Sequence, residues 1–170
     1  MSHTLDQFVG ECRRILVADA GPAGREQVRA LLSTVCSDPD FVSTYLSDDV
    51  SEREVFYEDP DLGFCIVGHV DHASRLSRPH DHGPTWAIYG QAAGETIMTE
   101  WEIVSPPPSD DLPGKARRSR EYVMTPGSAY IYNEGDVHSP WRRGTTRLLR
   151  VEGSNIAYIC SAHFEEIRDV

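Results

Sequence analysis

From residue 54 onward the chain is a succession of short runs rich in β-branched and aromatic residues, each closed by turn chemistry. "GFCIVGHV", "TWAIYGQAAG", "ETIMTEWEIV", "REYVMT", "SAYIYN", "TRLLRVEG" and "NIAYICSAHF" are the candidate strands. Gly, Pro, Asn and Asp punctuate them, as in "EDPDLG", "TPGS" and "NEGD". Seven such runs in little more than a hundred residues predict a barrel or sandwich. Between the third and fourth runs, "SPPPSDDLPGKARRSR" passes from proline-rich to acidic to basic and reads as one long solvated loop.

The first fifty residues carry a different period. Leu5, Phe8, Cys12, Ile15 and Leu16 recur three and four apart, with Thr4 or Ser2 as the N-cap. "AGPAG" ends this helix, and Val28, Leu31, Leu32 and Val35 share one face of a second. "SDPDFVSTYLSDDV" predicts a short capped helix ending near Leu46. Apolar stripes of this kind need a surface to cover, so residues 1–50 are expected to pack on the barrel formed by 51–170, the whole making one domain.

Composition narrows the partners. A formal net charge of −11 disfavours nucleic acid and anionic membrane, both of which would repel the chain. It leaves room for a small anionic substrate, since local positive charge in a pocket outweighs a distant global sign. Cys12, Cys36, Cys65 and Cys160 form no CxxC pair and are expected to be buried free thiols. The start, "MSHTLDQFVGECRR", shows no signal-peptide pattern, and no apolar run approaches the roughly 20 residues of a membrane span. A cytoplasmic location is the expectation.

The chemistry concentrates in "RPHDHGPTWAIYG", residues 78–90. His80 and His82 lie two apart, a spacing that puts both imidazoles on one face of a strand. Neutral imidazole is a ligand for divalent iron, zinc, copper or nickel. A third ligand has to come from a distant strand, and His138 in "NEGDVHSPW" is the leading candidate, because it follows a tight turn and opens a β-like run. His69 and His72 are three apart, the wrong spacing for one strand face, while His3 and His163 read as peripheral. Either histidine of the pair alone reads equally well as a hydrogen-bonded structural residue.

These residues resemble the two histidine motifs of the cupin superfamily. "PHDHG" is followed by Gly94 at the expected place, and "PGSAYIYNEGDVH" keeps Gly127, Gly135 and His138. Asn133 stands where the second motif has proline, and Ala87 where the first has glutamate. Three histidines without the carboxylate resemble the cysteine dioxygenase-like thiol dioxygenases, as do "FYEDPDLGFCIVGHV" and "HDHGPTWAIYG".

The resemblance implies a mainly β fold, a small double-stranded β-helix barrel with an N-terminal helical region. It also implies Fe(II) on His80, His82 and His138, with zinc or nickel able to take its place. The activity implied is dioxygenation of a small thiol or related anionic metabolite. The partners expected are that small molecule and O2, with a homodimer as an option.

Three departures from that family's pattern bear on the substrate. Arg150 and Glu152 stand where it has a histidine and a tyrosine, and Ala87 stands where some members have a crosslinking cysteine. Glu58 falls near the position of its carboxylate-binding arginine. Arg150 and Glu152 share strand parity and are expected to face inward. They read as a self-satisfied ion pair, or as an anion holder and a proton acceptor. A third reading has Glu152 reach the metal. Trp86, Tyr89 and Trp141 are expected to exclude water near the metal or simply to pack the barrel, with Ala87 beside them. Other readings stay open at this stage: a carbon–carbon-cleaving dioxygenase, a metal-dependent isomerase, or a cupin that binds without turnover.

Overall fold

The computed structural model describes residues 3–167. Among the described residues strand takes 43% and helix 24%, arranged as a curled sheet that forms a half-barrel with helices at its N-terminal end. Three helices come first: α1 Leu5–Ala18, α2 Pro22–Cys36 and α3 Pro39–Tyr45. Eight strands follow: β1 Glu54–Glu58, β2 Cys65–Asp71, β3 Arg75–Leu76, β4 Ala87–Ser105, β5 Gly114–Met124, β6 Ala129–Tyr132, β7 Val137–Glu152 and β8 Phe164–Glu166. They run in the order β1-β2-β7-β4-β5-β8, with β3 on β7 and β6 on β4. Pairings are antiparallel except β5 with β8.

The helices form where local chemistry starts and stops them. Thr4 caps α1 through a reciprocal box: its hydroxyl accepts from Gln7 N and the Gln7 side chain accepts from Thr4 N. Ser2, the alternative cap, lies outside the described residues. Pro22 opens α2 and Pro39 opens α3, where a missing N–H costs nothing, and Asp38 caps α3.

The sheet separates two interiors. Odd and even residues of each strand face opposite sides. Ile66, Val70, Ile88, Leu149 and Val151 meet Phe8, Cys12, Leu32 and Phe41 in a helix–sheet core. Ala87, Tyr89, Met98, Met124 and Tyr132 form a second cluster inside the curl. All seven residues of β2 are buried because one face carries helices and the other faces the curl. Gly90 lets α2 come close: a Cβ there would stand 2.7 Å from both Cys36 Sγ and Leu32 Cγ.

Several sequence expectations change. "TWAIYGQAAG" and "ETIMTEWEIV" are one strand, β4, bent at bulges on either side of Ala93. Gly94 makes that bend with φ +70°, and a Cβ would press to 2.3 Å from Thr145 O. The basic half of the supposed loop is the start of β5, because Lys115, Arg117, Arg118 and Arg120 point outward while Ala116 is buried. "NIAYICSAHF" is not a strand: it holds a short 3₁₀ turn, Ile156–Tyr158, and only Phe164 enters β8. Cys12, Cys36 and Cys65 are buried, their thiols pushed up to about 12 by burial, but Cys160 is exposed. No helix among the described residues is long and apolar enough to cross a membrane.

Candidate metal centre

His80 and His82 do not sit in a regular strand. His80 makes a single two-way bridge to β7, His80 N to His138 O at 3.1 Å and His138 N to His80 O at 3.0 Å. That bridge sets the two rings side by side. The loop is clamped from the other side by the C-terminal segment: Asp81 N donates to Ala162 O, Asp81 Oδ1 accepts from Ala162 N, and Phe164 N donates to Pro79 O. His82 follows two residues on, so an irregular but anchored segment achieves the common facing that strand parity predicts.

The three rings converge. One ring nitrogen from each of His80, His82 and His138 lies within 4.8 Å of the others. His80 is half-buried, while His82 and His138 are buried. The Nδ1–H of His80 donates to Arg78 O at 2.7 Å, and that of His138 to Asp136 O at 3.2 Å. Each bond fixes the tautomer and leaves Nε2 with a free lone pair. Burial, reinforced by the neighbouring cationic forms, holds the basicity of all three below that of an ordinary histidine, so they are neutral at physiological pH.

Tyr89 places its hydroxyl between two of them, 3.0 Å from His82 Nε2 and 3.3 Å from His138 Nε2. It has one proton and satisfies only one acceptor. His82 Nδ1 is buried with no partner at all. Converging neutral nitrogens with lone pairs left over suit a divalent first-row ion and suit little else. The residues present therefore fit such a metal, which His80, His82 and His138 would hold. Tyr132 stacks on His138 with ring centroids 4.3 Å apart, and Met98 and Met124 close the apolar floor.

A cavity of about 280 Å³ opens beside His80 and Tyr89. Arg53, Arg75, Arg142 and Arg150 line it, with His69. Arg150 faces inward as expected, its guanidinium 4.2 Å over the Tyr89 ring. It donates to His69 Nε2 at 3.2 Å, while His69 Nδ1–H donates to Glu52 O at 2.6 Å. A permanently charged guanidinium can only donate, so His69 is held neutral as its acceptor, and burial keeps it so.

Glu152 faces inward too, but it does not join the histidine group and does not line the cavity. Its Oε2 accepts from Arg53 at 2.9 Å and from Ile156 N at 3.1 Å, and its Oε1 lies 3.1 Å from Arg150 Nη2. The arrangement is the ion pair, and Glu152 stands outside the histidine group. Glu58 accepts from Asn155 at 3.2 Å.

The tryptophans require correction. Trp86 belongs to the helix-side core beneath Arg25, and Trp141, 43% exposed, lies on the outer face beneath Arg143. Strand parity explains both: their neighbours Ala87 and Pro140 take the inward positions. Ala87 is fully buried inside the curl against Tyr89. Arg142 and His69 were missed by sequence reasoning. Counting in twos from His138 along β7 reaches Arg142, and counting from Cys65 along β2 reaches His69.

No protein-family model matches the sequence, and no curated protein matches it. Among solved structures, the chain is similar to a cupin superfamily protein from Desulfitobacterium hafniense, at 9% identity and TM-score 0.45 over 61% of this chain and 76% of that one. It is similar to an uncharacterized conserved protein with a double-stranded β-helix domain from Klebsiella pneumoniae, at 16% identity and TM-score 0.46 over 70% and 83%. A hydroquinone 1,2-dioxygenase solved with Cd2+ and 4-hydroxybenzonitrile is similar at 11% identity and TM-score 0.49 over 76% and 83%. The structural neighbours thus include cupin superfamily proteins, and the site stands on its own residues.

Proposed function

We propose that the protein is a mononuclear, metal-dependent oxygenase of cupin type that holds Fe(II) on His80, His82 and His138 and oxidises a small anionic thiol. The observation that supports this reading is the convergence of three neutral imidazoles beside a small arginine-lined cavity. Three neutral ligands leave the charge of a divalent ion uncompensated, which favours an anionic thiolate at the site. Ferrous iron bound there would supply activation of dioxygen toward sulfur, the balanced reaction being RSH + O2 → RSO2H.

The chain's own residues do the rest. The Tyr89 hydroxyl offers a hydrogen bond at the histidine cluster. Arg150, fixed by His69 and Glu152, presents positive charge to the cavity. The buried ring of Tyr132 and the two methionines keep water from the inner side of the histidines.

Oxygen consumption by the iron-loaded protein on a panel of small carboxylate- and sulfonate-bearing thiols tests this. Uptake matched one to one by sulfinate is expected. No uptake with any thiol at full iron loading would overturn the thiol reading, and uptake with an aromatic or carbonyl substrate instead would replace it with another oxygenase reaction.

A further inference from the structure

We infer that Tyr132 and Tyr122 form a relay that carries an oxidising equivalent from the histidine cluster toward the surface, with Glu100 taking the proton that Tyr122 releases. The inference rests on the reading that iron is held by His80, His82 and His138, and not on what that iron oxidises.

The relay starts at His138. The Tyr132 ring stacks on that imidazole with centroids 4.3 Å apart, and it lies 5.0 Å from the Tyr89 ring. The Tyr132 hydroxyl is 2.7 Å from the Tyr122 hydroxyl, which donates its own proton to Glu100 Oε1 at 2.9 Å. A phenol has one proton, so Tyr132 is the donor in the pair and the chain of hydrogen bonds runs one way. It also runs outward. Tyr132 is buried, Tyr122 and Glu100 are half-buried, and the half-buried Tyr130 ring lies 4.5 Å from that of Tyr122. Three strands supply the line: Tyr132 on β6, Tyr122 on β5 and Glu100 on β4. Tyr122 pairs with Met98 in the sheet, so Glu100 is its diagonal neighbour two residues along β4.

Phenol chemistry gives this line its use. A phenol that loses an electron becomes a strong acid, and its proton must pass to a base already in place. Tyr122 has such a base in Glu100. Tyr89 does not, because its hydroxyl faces two imidazole nitrogens that a metal would engage. Burial, with Glu100 accepting its hydrogen bond, holds Tyr122 above the ordinary phenol range, so it is protonated at rest. Met98 and Met124 lie in the same inner cluster, and an oxidant without an outlet would convert them to sulfoxides.

With hydrogen peroxide as oxidant the electrons balance. Fe(II) gives one and Tyr122 the other, through Tyr132. The O–O bond breaks, two protons from solvent complete two waters, and the Tyr122 proton moves to Glu100. Fe(III), a neutral phenoxyl at Tyr122 and protonated Glu100 remain. A small thiolate then returns one electron to the phenoxyl while Glu100 returns the proton, and two thiyl radicals so formed couple to a disulfide.

Freeze-quench electron paramagnetic resonance of the iron-loaded protein mixed with hydrogen peroxide, with no thiol present, tests the relay. A tyrosyl radical is expected in the wild type. Tyr122→Phe keeps the ring but lacks the hydroxyl, and Glu100→Gln accepts a hydrogen bond but not the proton. Each is expected to lower the radical yield at least fivefold at unchanged iron content. Each is also expected to raise sulfoxide at Met98 and Met124 at least fivefold, read by peptide mass spectrometry. A network that only satisfies its own hydrogen bonds predicts neither change. No radical in fully iron-loaded wild type, or an undiminished yield in either variant, would overturn the relay and leave the metal site standing. Should a variant fail to fold, nitroso spin trapping in the wild type decides: adducts on Tyr132, Tyr122 or Tyr130 support the relay, and adducts only elsewhere overturn it. A radical in a protein that oxidises no thiol keeps the relay and removes the thiol reaction, whereas a protein that takes up no iron loses both.

Discussion

The Arg150 guanidinium lies 4.2 Å over the Tyr89 ring, and the Tyr89 hydroxyl lies 3.0 Å from His82 Nε2. These two contacts join the arginine-lined cavity to the histidine cluster. Arg150 and Tyr89 are cross-strand partners on β7 and β4, so sheet register alone brings charge, phenol and imidazole into line.

His138 carries the clearest consequence. It is fully buried and touches both other rings, at centroid distances of 4.9 Å from His80 and 4.6 Å from His82. His138→Ala is expected to lose all stoichiometric metal after dialysis, read by elemental analysis, while keeping its β-sheet spectrum. Undiminished loading would remove it from the ligand set.

Replacing Tyr89 with Phe deletes one hydroxyl and little volume. Iron content is expected to stay within about twofold of wild type, while sulfinate formation falls on the order of 10²-fold, the scale of a lost proton-handling group. Iron loss in step with the activity loss would reduce Tyr89 to a structural support.

His69 predicts a pH dependence. Its folded form is held neutral by burial and by Arg150, with its basicity well below the usual histidine value, whereas the unfolded chain takes up a proton near pH 6.5. Below that pH the unfolded state binds the extra proton, so stability is full above about pH 6.5 and falls as the pH drops, by up to about 1.4 kcal/mol per pH unit for one such group. In urea unfolding of the metal-free protein between pH 7 and 5, His69→Gln is expected to lower that slope by about one proton's worth. An identical slope would show that His69 contributes nothing to this pH dependence.

The helix–sheet core is a separate matter from the site. Leu32 is fully buried and lies against Gly90 of β4. Leu32→Ala is expected to cost about 2–5 kcal/mol, lowering the urea midpoint without changing the slope of the transition. Metal loading of the protein that remains folded should be unaltered.

Much of this was legible in the sequence because it depends on local period. The 3.6-residue stripe of α1 and the proline and aspartate starts of α2 and α3 follow from which side chains bury and which caps satisfy the first N–H groups. The inward parity of Arg150 and Glu152 was legible for the same reason. Continuity of β4 through Gly94 was not, since a glycine in the left-handed region reads equally as a turn or a bulge. Nor was the basic start of β5, whose arginines look like loop until Ala116 is seen to be buried.

What the chain by itself determined was its donor inventory and its local geometry: three histidines able to face one point, helices needing a surface to cover, and strands needing a curl. Only tertiary structure decided which residues share that interior. His80 and His82 meet His138 through one isolated bridge and a clamp from the C-terminal segment. His69 enters the cavity because β2 pairs with β7 in one register, and Arg142 because β7 pairs with β3 and β4. Trp86 and Trp141 fall outside it by the same alternation. The physical reason is that ligand convergence depends on long-range backbone pairing, whose register is set by the summed burial of two faces, a quantity no single segment contains.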